Sequence, residues 1–349
     1  MAMVVRVGLL GSGFAAEFHM QSYAEIPNAK VVAVASRSRA AEFARRWGVG
    51  KYYTGEDFIE KLCSDKEVDA VDIVLPNFLH LKAVQVCAEN KKNIIIEKPL
   101  GRNLSEAREM LNAVNRNGVL HAYAENQVFI PQIERVMEMV KGGAIGKVFW
   151  VRSREAHFGP HSPWFWDKSL SGGGSLLDMG CHSIEVTRKI IGGRAVEVLG
   201  WGDLLVHRDR TKAEDNSIVL VRYSGGELGQ AENSWAAHGG LDLRYEIYGS
   251  EGAIFIDVTR ETGIRVFTTA PEERVGYVVE KAEVAKGWLY PIWREFELYG
   301  YLNELRHFIT SFERGEMPRE NFNDGVEVNR IIDAAYRSFT SKKWEPLAE

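Results

Sequence analysis

The feature that most constrains this chain is how it begins. Val4-Val5-Arg6-Val7-Gly8-Leu9-Leu10 is a short apolar run that reads as a buried strand. It breaks at Gly11-Ser12-Gly13-Phe14-Ala15-Ala16, and Glu17 to Ala24 then reads as a helix. A strand that feeds a helix through a glycine loop is the first half of a parallel crossover unit. Gly11 permits the tight turn, Gly13 lets the backbone approach an anion, and Ala16 allows close helix–strand packing. The positive end of the helix faces the same anion, so the loop suits a pyrophosphate. Glycine-rich turns are common, and the position between strand and helix is what makes this one specific.

The alternation continues through the first third. Val31 to Ala35 is a strand, and Ser36-Arg37-Ser38-Arg39 follows where NAD enzymes carry an acidic residue. Hydroxyls and guanidinium groups suit a ribose 2′-phosphate, which leans the cofactor toward NADP over NAD. Arg37 and Arg39 equally suit the solvated start of a helix over Ala40–Trp47. Gly55 to Leu62 looks helical. The strand Ala70 to Leu75 ends in Pro76-Asn77-Phe78-Leu79-His80 and a helix running to about Asn90. Asn93 to Ile96 is a strand that stops abruptly at Glu97-Lys98-Pro99. A helix from Ser105 (the expected N-cap) to Asn117 and a strand from Val119 to Ala124 complete the pattern. Such alternation predicts a doubly wound parallel sheet, a Rossmann domain over residues 1–125. Its carboxyl edge collects the cofactor-binding candidates: Gly11, Gly13, Phe14, Ala15, Ser36, Arg37, Pro76, Asn77, His80, Glu97, Lys98 and, at the boundary, Asn126. His80 also fits a purely structural cap. Lys98 fits either a surface ion pair with Glu97 or a proton donor and acceptor at the ligand edge.

Past Asn126 the period changes. Ile133 to Val140 is helical and Lys147 to Arg154 alternates as a strand. Further strands are expected at 196–206, 216–223, 227–236, 244–248, 253–258 and 264–267, with hairpin turns at Ser224-Gly225-Gly226 and Gly249-Ser250-Glu251-Gly252. Strands in succession predict a second α/β domain, residues 126–349, with a large, open, mostly antiparallel sheet. A helix from Leu176 to Ile191 covers one face, and a second subunit is the expected cover of the other. Two helices close the chain, at 295–313 and 324–341, while 280–293 carries no readable pattern.

Between the first of these strands and the covering helix lies a second polar cluster. His157, His161, Trp164 and Trp166 precede Ser171-Gly172-Gly173-Gly174, and Asp178 and His182 follow four residues apart. On a helix that spacing puts a carboxylate and an imidazole on one face, suited to proton exchange with a hydroxyl. The tryptophans suit the apolar face of a sugar ring and core packing equally well. His157, His161, Asp178 and His182 match no metal-ligand spacing, and no G-x-S-x-G elbow supports a hydrolase.

Composition excludes other classes. A net charge of -5 with interspersed signs argues against nucleic-acid binding. No apolar run approaches a membrane span, and the N-terminus lacks a signal-peptide pattern. Cys63, Cys87 and Cys181 form a sparse, odd, scattered set, which suits a reducing cytoplasm.

Taken in order, Gly11-Ser12-Gly13-Phe14-Ala15-Ala16, Pro76-Asn77-Phe78-Leu79-His80, Glu97-Lys98-Pro99, Ser171-Gly172-Gly173-Gly174 and Asp178-Met179-Gly180-Cys181-His182 resemble the Gfo/Idh/MocA oxidoreductases over nearly the whole chain. The resemblance implies NAD or NADP, hydride exchange with a secondary carbinol of a sugar or cyclitol, and homodimers or homotetramers formed through the large sheet. It implies Lys98, Asp178 and His182 around the reacting carbinol, and a cis bond before Pro99. Within the same fold, a glycoside-cleaving enzyme using transient oxidation is the alternative chemistry, and a non-catalytic cofactor sensor is the alternative class.

Overall fold

The structure, a computed structural model, describes residues 4–261, 263–269, 287–292 and 294–347. The chain forms two compact units, residues 1–129 with 299–329, and residues 130–298 with 330–349. The division expected at residue 125 is therefore not a single cut.

The first unit contains β1 (Val5–Leu10), α1 (Phe14–Tyr23), β2 (Ala29–Ala35), α2 (Ala40–Arg46), β3 (Tyr52–Tyr53), α3 (Phe58–Cys63), β4 (Ala70–Ile73), α4 (His80–Glu89), β5 (Asn93–Glu97), α5 (Leu104–Asn117) and β6 (His121–Ala124). The sheet order is β3-β2-β1-β4-β5-β6, all parallel, so the chain reverses direction between β1 and β4. That reversal is where ligands bind in open parallel sheets. Leu10, Ile73 and Ile96 are in register, so the segments after β1, β4 and β5 leave the sheet at one edge. Ile94, Ile95 and Ile96 are fully buried, as expected of a strand covered on both faces. The N-cap of α5 is Asn103, whose side chain accepts the Glu106 N–H, rather than Ser105. Cys63 and Cys87 form a disulfide between α3 and α4, so two of the cysteines that look scattered in sequence are neighbours in space.

The second unit contributes α6 (Pro131–Lys141), β7 (Val148–Ala156), α7 (Lys168–Ser171), a π-helical turn at Leu176–Gly180, α8 (Cys181–Ile191), β8 (Ala195–Asp203), β9 (Asn216–Tyr223), β10 (Leu228–Ser234), β11 (Asp242–Gly249) and β12 (Gly252–Asp257). A short hairpin of β13 (Val266–Thr268) and β14 (Gly287–Leu289) follows. Of the unassigned stretch 280–293, residues 280–286 and 293 lie outside the described residues. The large sheet runs β12-β11-β7-β10-β9-β8-β15, with β15 at Glu345–Pro346. It is antiparallel except for the central β7/β10 pair, which is parallel.

The helix expected over 295–313 is two pieces, α9 (Glu295–Leu298) and α10 (Tyr301–Arg314). Gly300, at φ 92, breaks them. α10 returns to the first unit: its buried stripe Leu302, Leu305, Phe308, Ile309 and Phe312 is the apolar face, and Tyr301 stacks on Phe18 of α1 at 5.1 Å. The last helix, α11, spans Phe322–Ser341.

Two histidines anchor the chain between α10 and α11. His121 Nδ1 accepts the Phe322 N–H at 3.2 Å, and His307 Nε2 accepts the Arg319 N–H at 3.0 Å. Each needs a neutral imidazole. Burial holds both well below the ordinary value, at about 4, with nearby Arg319 adding to the effect on His307. The unfolded chain thus binds more protons than the native one between about pH 6.5 and 4, and stability is lost as pH falls through that window. The apparent Tm is expected to drop between pH 7 and pH 5, and His121→Gln or His307→Gln to flatten the drop. Melting curves in a pH series check this, and an unchanged slope in both variants refutes it.

Candidate active site

At the edge beyond β1, Gly11 adopts φ +132 and its N–H donates to Ala35 O at 2.8 Å. A Cβ there would stand 2.1 Å from the Val74 carbonyl oxygen, so glycine is required for the fold itself. Gly13 differs. It is the N-cap of α1 with no side-chain cap, and a Cβ on it would meet nothing within 4 Å among the described residues. Space is thus open beside the start of α1, and a helix N-terminus is the end that receives a phosphate. Ser12 Oγ donates to Ser36 Oγ at 3.0 Å, tying this loop to the end of β2. Phe14 is exposed and stands edge-on to Phe18 at 5.1 Å, and Ala15 is half-buried. Arg37 lies at the surface, paired with Glu56 at 2.8 Å.

Beyond β4, Pro76 is extended and its carbonyl accepts the Leu79 N–H at 2.9 Å. Asn77 is buried beside it. His80 is fully buried, with Nε2 on Leu75 O at 2.9 Å and Nδ1 against Pro99 O and Leu100 O at 3.1 and 3.2 Å. Its ring thus joins the segments after β4 and β5 and does not cap α4. Burial lowers its pKa despite those carbonyls. The Lys98–Pro99 bond is cis, as the resemblance implied. Glu97 is buried, Lys98 is half-buried, and the Lys98 N–H donates to Glu97 Oε2 at 3.0 Å. Glu97 therefore turns the chain rather than simply pairing with the ammonium. Asn126 is buried and donates to Tyr299 O at 2.7 Å. The glycine loop, the uncapped helix and the hydroxyl bridge fit a dinucleotide.

In the second unit, the glycines after Ser171 have a steric cause. A Cβ on Gly173 would stand 2.0 Å from the Tyr336 hydroxyl, and one on Gly174 1.9 Å from the Glu214 carbonyl oxygen. Glu214 Oε1 accepts from Gly174 N and Leu176 N, both at 3.1 Å, and from the Tyr336 hydroxyl at 2.9 Å. Burial raises its pKa although these donors oppose the shift. The clamp sets the start of the π-helical turn that carries Asp178, where a regular helix was expected. A π turn is a frequent mark of functional sites. Asp178 and His182 are both buried, on either side of the π-to-α junction. Asp178 Oδ2 accepts the Trp235 indole N–H at 3.0 Å.

Of the aromatic candidates, Trp166 is half-buried and packs against His207 at 4.9 Å, Trp235 at 5.6 Å and the Arg210 guanidinium at 5.3 Å. Trp164 stacks on Phe165 at 3.8 Å. His157 is buried, its ring 5.1 Å from that of the half-buried His161.

Comparison with known proteins decides the family. Residues 5–125 match the family described as an oxidoreductase family with an NAD-binding Rossmann fold, and residues 133–255 match the GFO/IDH/MocA C-terminal domain. The myo-inositol 2-dehydrogenase of Thermotoga maritima is 31% identical over 99% of each chain. The chain belongs to the Gfo/Idh/MocA oxidoreductase family. A levoglucosan dehydrogenase of Pseudarthrobacter phenanthrenivorans is 28% identical over 97% of each chain. The crystal structure of GenD2 from gentamicin A biosynthesis, in complex with NAD, superposes with a TM-score of 0.92 at 26% identity, covering 100% of this chain and 98% of that one. Like its family, the protein is an NAD(P)-dependent oxidoreductase with an N-terminal Rossmann sheet.

Sequence reasoning missed His19, Asp72, Glu214, Trp235 and Tyr336. Only Asp72 left a signal, as a carboxylate inside the apolar strand Ala70-Val71-Asp72-Ile73.

The two loop glycines are separable by experiment. Gly11→Ala should lower the Tm markedly or prevent folding. Gly13→Ala should keep the Tm within a few degrees and weaken NAD(H) binding about tenfold or more, because a methyl group occupies the phosphate approach. Calorimetry and fluorescence titration with NADH check both, and unchanged NADH affinity in Gly13→Ala refutes the phosphate site.

Proposed function

We propose that the protein reversibly oxidises a secondary hydroxyl of a sugar or cyclitol, with residues 1–125 binding the cofactor and 126–349 supplying substrate contacts. The carrying observation is Lys98, placed by Glu97 at the sheet edge that also holds Gly11 and Gly13. Bound nicotinamide supplies the hydride chemistry. His182 takes the hydroxyl proton during oxidation, since an imidazole titrates near neutral pH. Lys98 hydrogen-bonds the same oxygen and stabilises developing alkoxide charge. Asp178, held by the Trp235 N–H, orients substrate and His182. His157, His161, Trp164 and Trp166 line the substrate side, with Trp166 packing as part of the wall. The myo-inositol and levoglucosan dehydrogenases support a neutral polyhydroxylated ring.

The cofactor-site assignment takes in the edge residues of the first unit, from Gly11, Gly13, Phe14 and Ala15 through Ser36, Arg37, Pro76 and Asn77 to Glu97, Lys98 and Asn126. His80 supports the edge through its ring bonds. Arg37 leans the preference toward NADP, and Glu56 at 2.8 Å competes for the same guanidinium. A panel of sugars and inositols run with NAD and NADP in parallel, read at the nicotinamide absorbance, tests the activity. Lys98→Ala should lower kcat at least a hundredfold while leaving NADH affinity within about threefold. Turnover at the wild-type rate in that variant overturns the assignment.

Among the described residues no helix is long and apolar enough to cross a membrane. We place the enzyme in the cytoplasm, although a disulfide such as Cys63–Cys87 is uncommon there. We also propose a homodimer or homotetramer built on the sheet face opposite α8. That face carries Trp201, Ile218 and Phe255, exposed by 41%, 41% and 66%, around ion pairs such as Arg152–Glu246 and Arg154–Asp242. Large apolar side chains left exposed on one sheet face mark it as a surface for a partner. Light scattering should report an oligomer for the wild type and a smaller species for Ile218→Glu with Phe255→Glu. A monomeric wild type overturns this.

A further inference from the structure

Beneath the cofactor edge, the first unit contains a chain of buried polar groups that the reading above does not use. His19, in the middle of α1, is fully buried. Its Nδ1 lies 2.7 Å from Asp72 Oδ2 and its Nε2 lies 3.0 Å from Glu97 Oε1. Asp72, on β4, also accepts from the Tyr23 hydroxyl at 2.9 Å. Glu97, at the end of β5, gives its other oxygen to the Lys98 N–H at 3.0 Å. One imidazole therefore joins a helix and two adjacent strands, and the bonds end on the peptide that bears Lys98.

Charge explains why a histidine stands there. Two buried carboxylates cannot both ionise without a cation between them. Burial pulls His19 toward its neutral form, but Asp72 and Glu97 outweigh it and hold the ring well above its ordinary pKa. Glu304, from α10, is fully buried in the same region. Burial, then the Glu97 charge, raises the pKa of its carboxyl well above the ordinary value against the opposing pull of His19. Asp72, Glu97, Glu304 and Glu125, with the Tyr23 phenol, are the titratable groups acting on this cluster.

A buried ionic triad is a poor way to gain stability, because well-packed apolar residues of similar volume do as well or better. What the triad adds is directionality. We propose that His19 is a positioning residue for hydride transfer: as an imidazolium bridging Asp72 and Glu97, it fixes the Lys98 peptide relative to α1, the helix whose N-terminus receives the cofactor phosphates. This rests on the assignment of Lys98 given above. It couples cofactor seating to the placement of the ammonium without touching either ligand.

The test compares His19→Gln, Glu97→Gln, Lys98→Ala and wild type. His19→Gln keeps a donor and removes the cation. It should lower kcat about tenfold or more, since small misplacements of a catalytic group cost that much. The KM for the alcohol and the Kd for NADH should stay within about threefold. Glu97, left buried without its cation, should titrate nearer neutrality, so the acid limb of kcat gains an ionisation that wild type lacks. Adding Glu97→Gln to His19→Gln should remove that ionisation, which a merely loosened fold would not do. If His19→Gln fails to fold, Asp72→Asn, which neutralises the other carboxylate on the imidazole, decides: lost kcat at unchanged NADH affinity supports the proposal, and wild-type kcat overturns it. Turnover lost in Lys98→Ala but kept in His19→Gln, with an unchanged pH profile, overturns the proposal alone. Turnover kept in Lys98→Ala overturns the assignment of Lys98 and the proposal with it.

Discussion

The first unit depends on a cation buried between two carboxylates. Parallel strands covered on both faces leave little room for polar side chains. Asp72 stands between Leu9 and Ile95 on the neighbouring strands, and the Tyr301 ring lies 5.6 Å from that of His19. Desolvating three charges costs several kcal/mol per ion before pairing returns it. That cost is offset only by close pairing, which the His19 ring makes with both carboxylates, and this ties α1 to β4 and β5. The glycine loop at the head of α1 and the turn after β5 are therefore not independent. Moving one strains the same imidazole.

The second unit solves a similar problem with a different device. The proposed pair, Asp178 and His182, straddles the end of a π turn whose start is held by Glu214 and Tyr336 and whose Asp178 accepts from Trp235. The Ser171-Gly172-Gly173-Gly174 stretch is the footprint of that clamp, since side chains at Gly173 and Gly174 would collide with it. These glycines serve close approach rather than flexibility, whereas Gly172, at φ 93, serves the turn.

Legibility followed the kind of interaction. Period and punctuation revealed the Rossmann strands, because Val7, Ile94 and Ile96 must be apolar on both faces. The large sheet was legible from its alternation and hairpin turns, but the parallel β7/β10 pair was not, since those strands are joined only through intervening elements. The π turn was invisible because Leu176 to Gly180 fits an ordinary helix and the cause lies at Glu214 and Tyr336, far along the chain. His19 read only as one residue of the helix after the glycine loop, because its partners are on strands that sequence spacing cannot align. Cys63 and Cys87 read as scattered because they lie on separate helices, α3 and α4, whose packing sequence spacing does not reveal.

Backbone-binding and side-chain chemistry thus leave different marks. A phosphate site built from peptide N–H groups needs glycine at fixed offsets, and fixed offsets are visible in one dimension. A proton-handling site needs side chains whose pKa and direction are set by neighbours, and those neighbours come from wherever the fold delivers them. Lys98 shows both. Its position was legible from the abrupt end of Ile94-Ile95-Ile96 at Pro99, while the groups that hold its peptide, His19 through Glu97, became visible only when β4, β5 and α1 were assembled. The residues that carry chemistry can be found by motif, but the residues that make the motif work have to be found by following each hydrogen bond to its end.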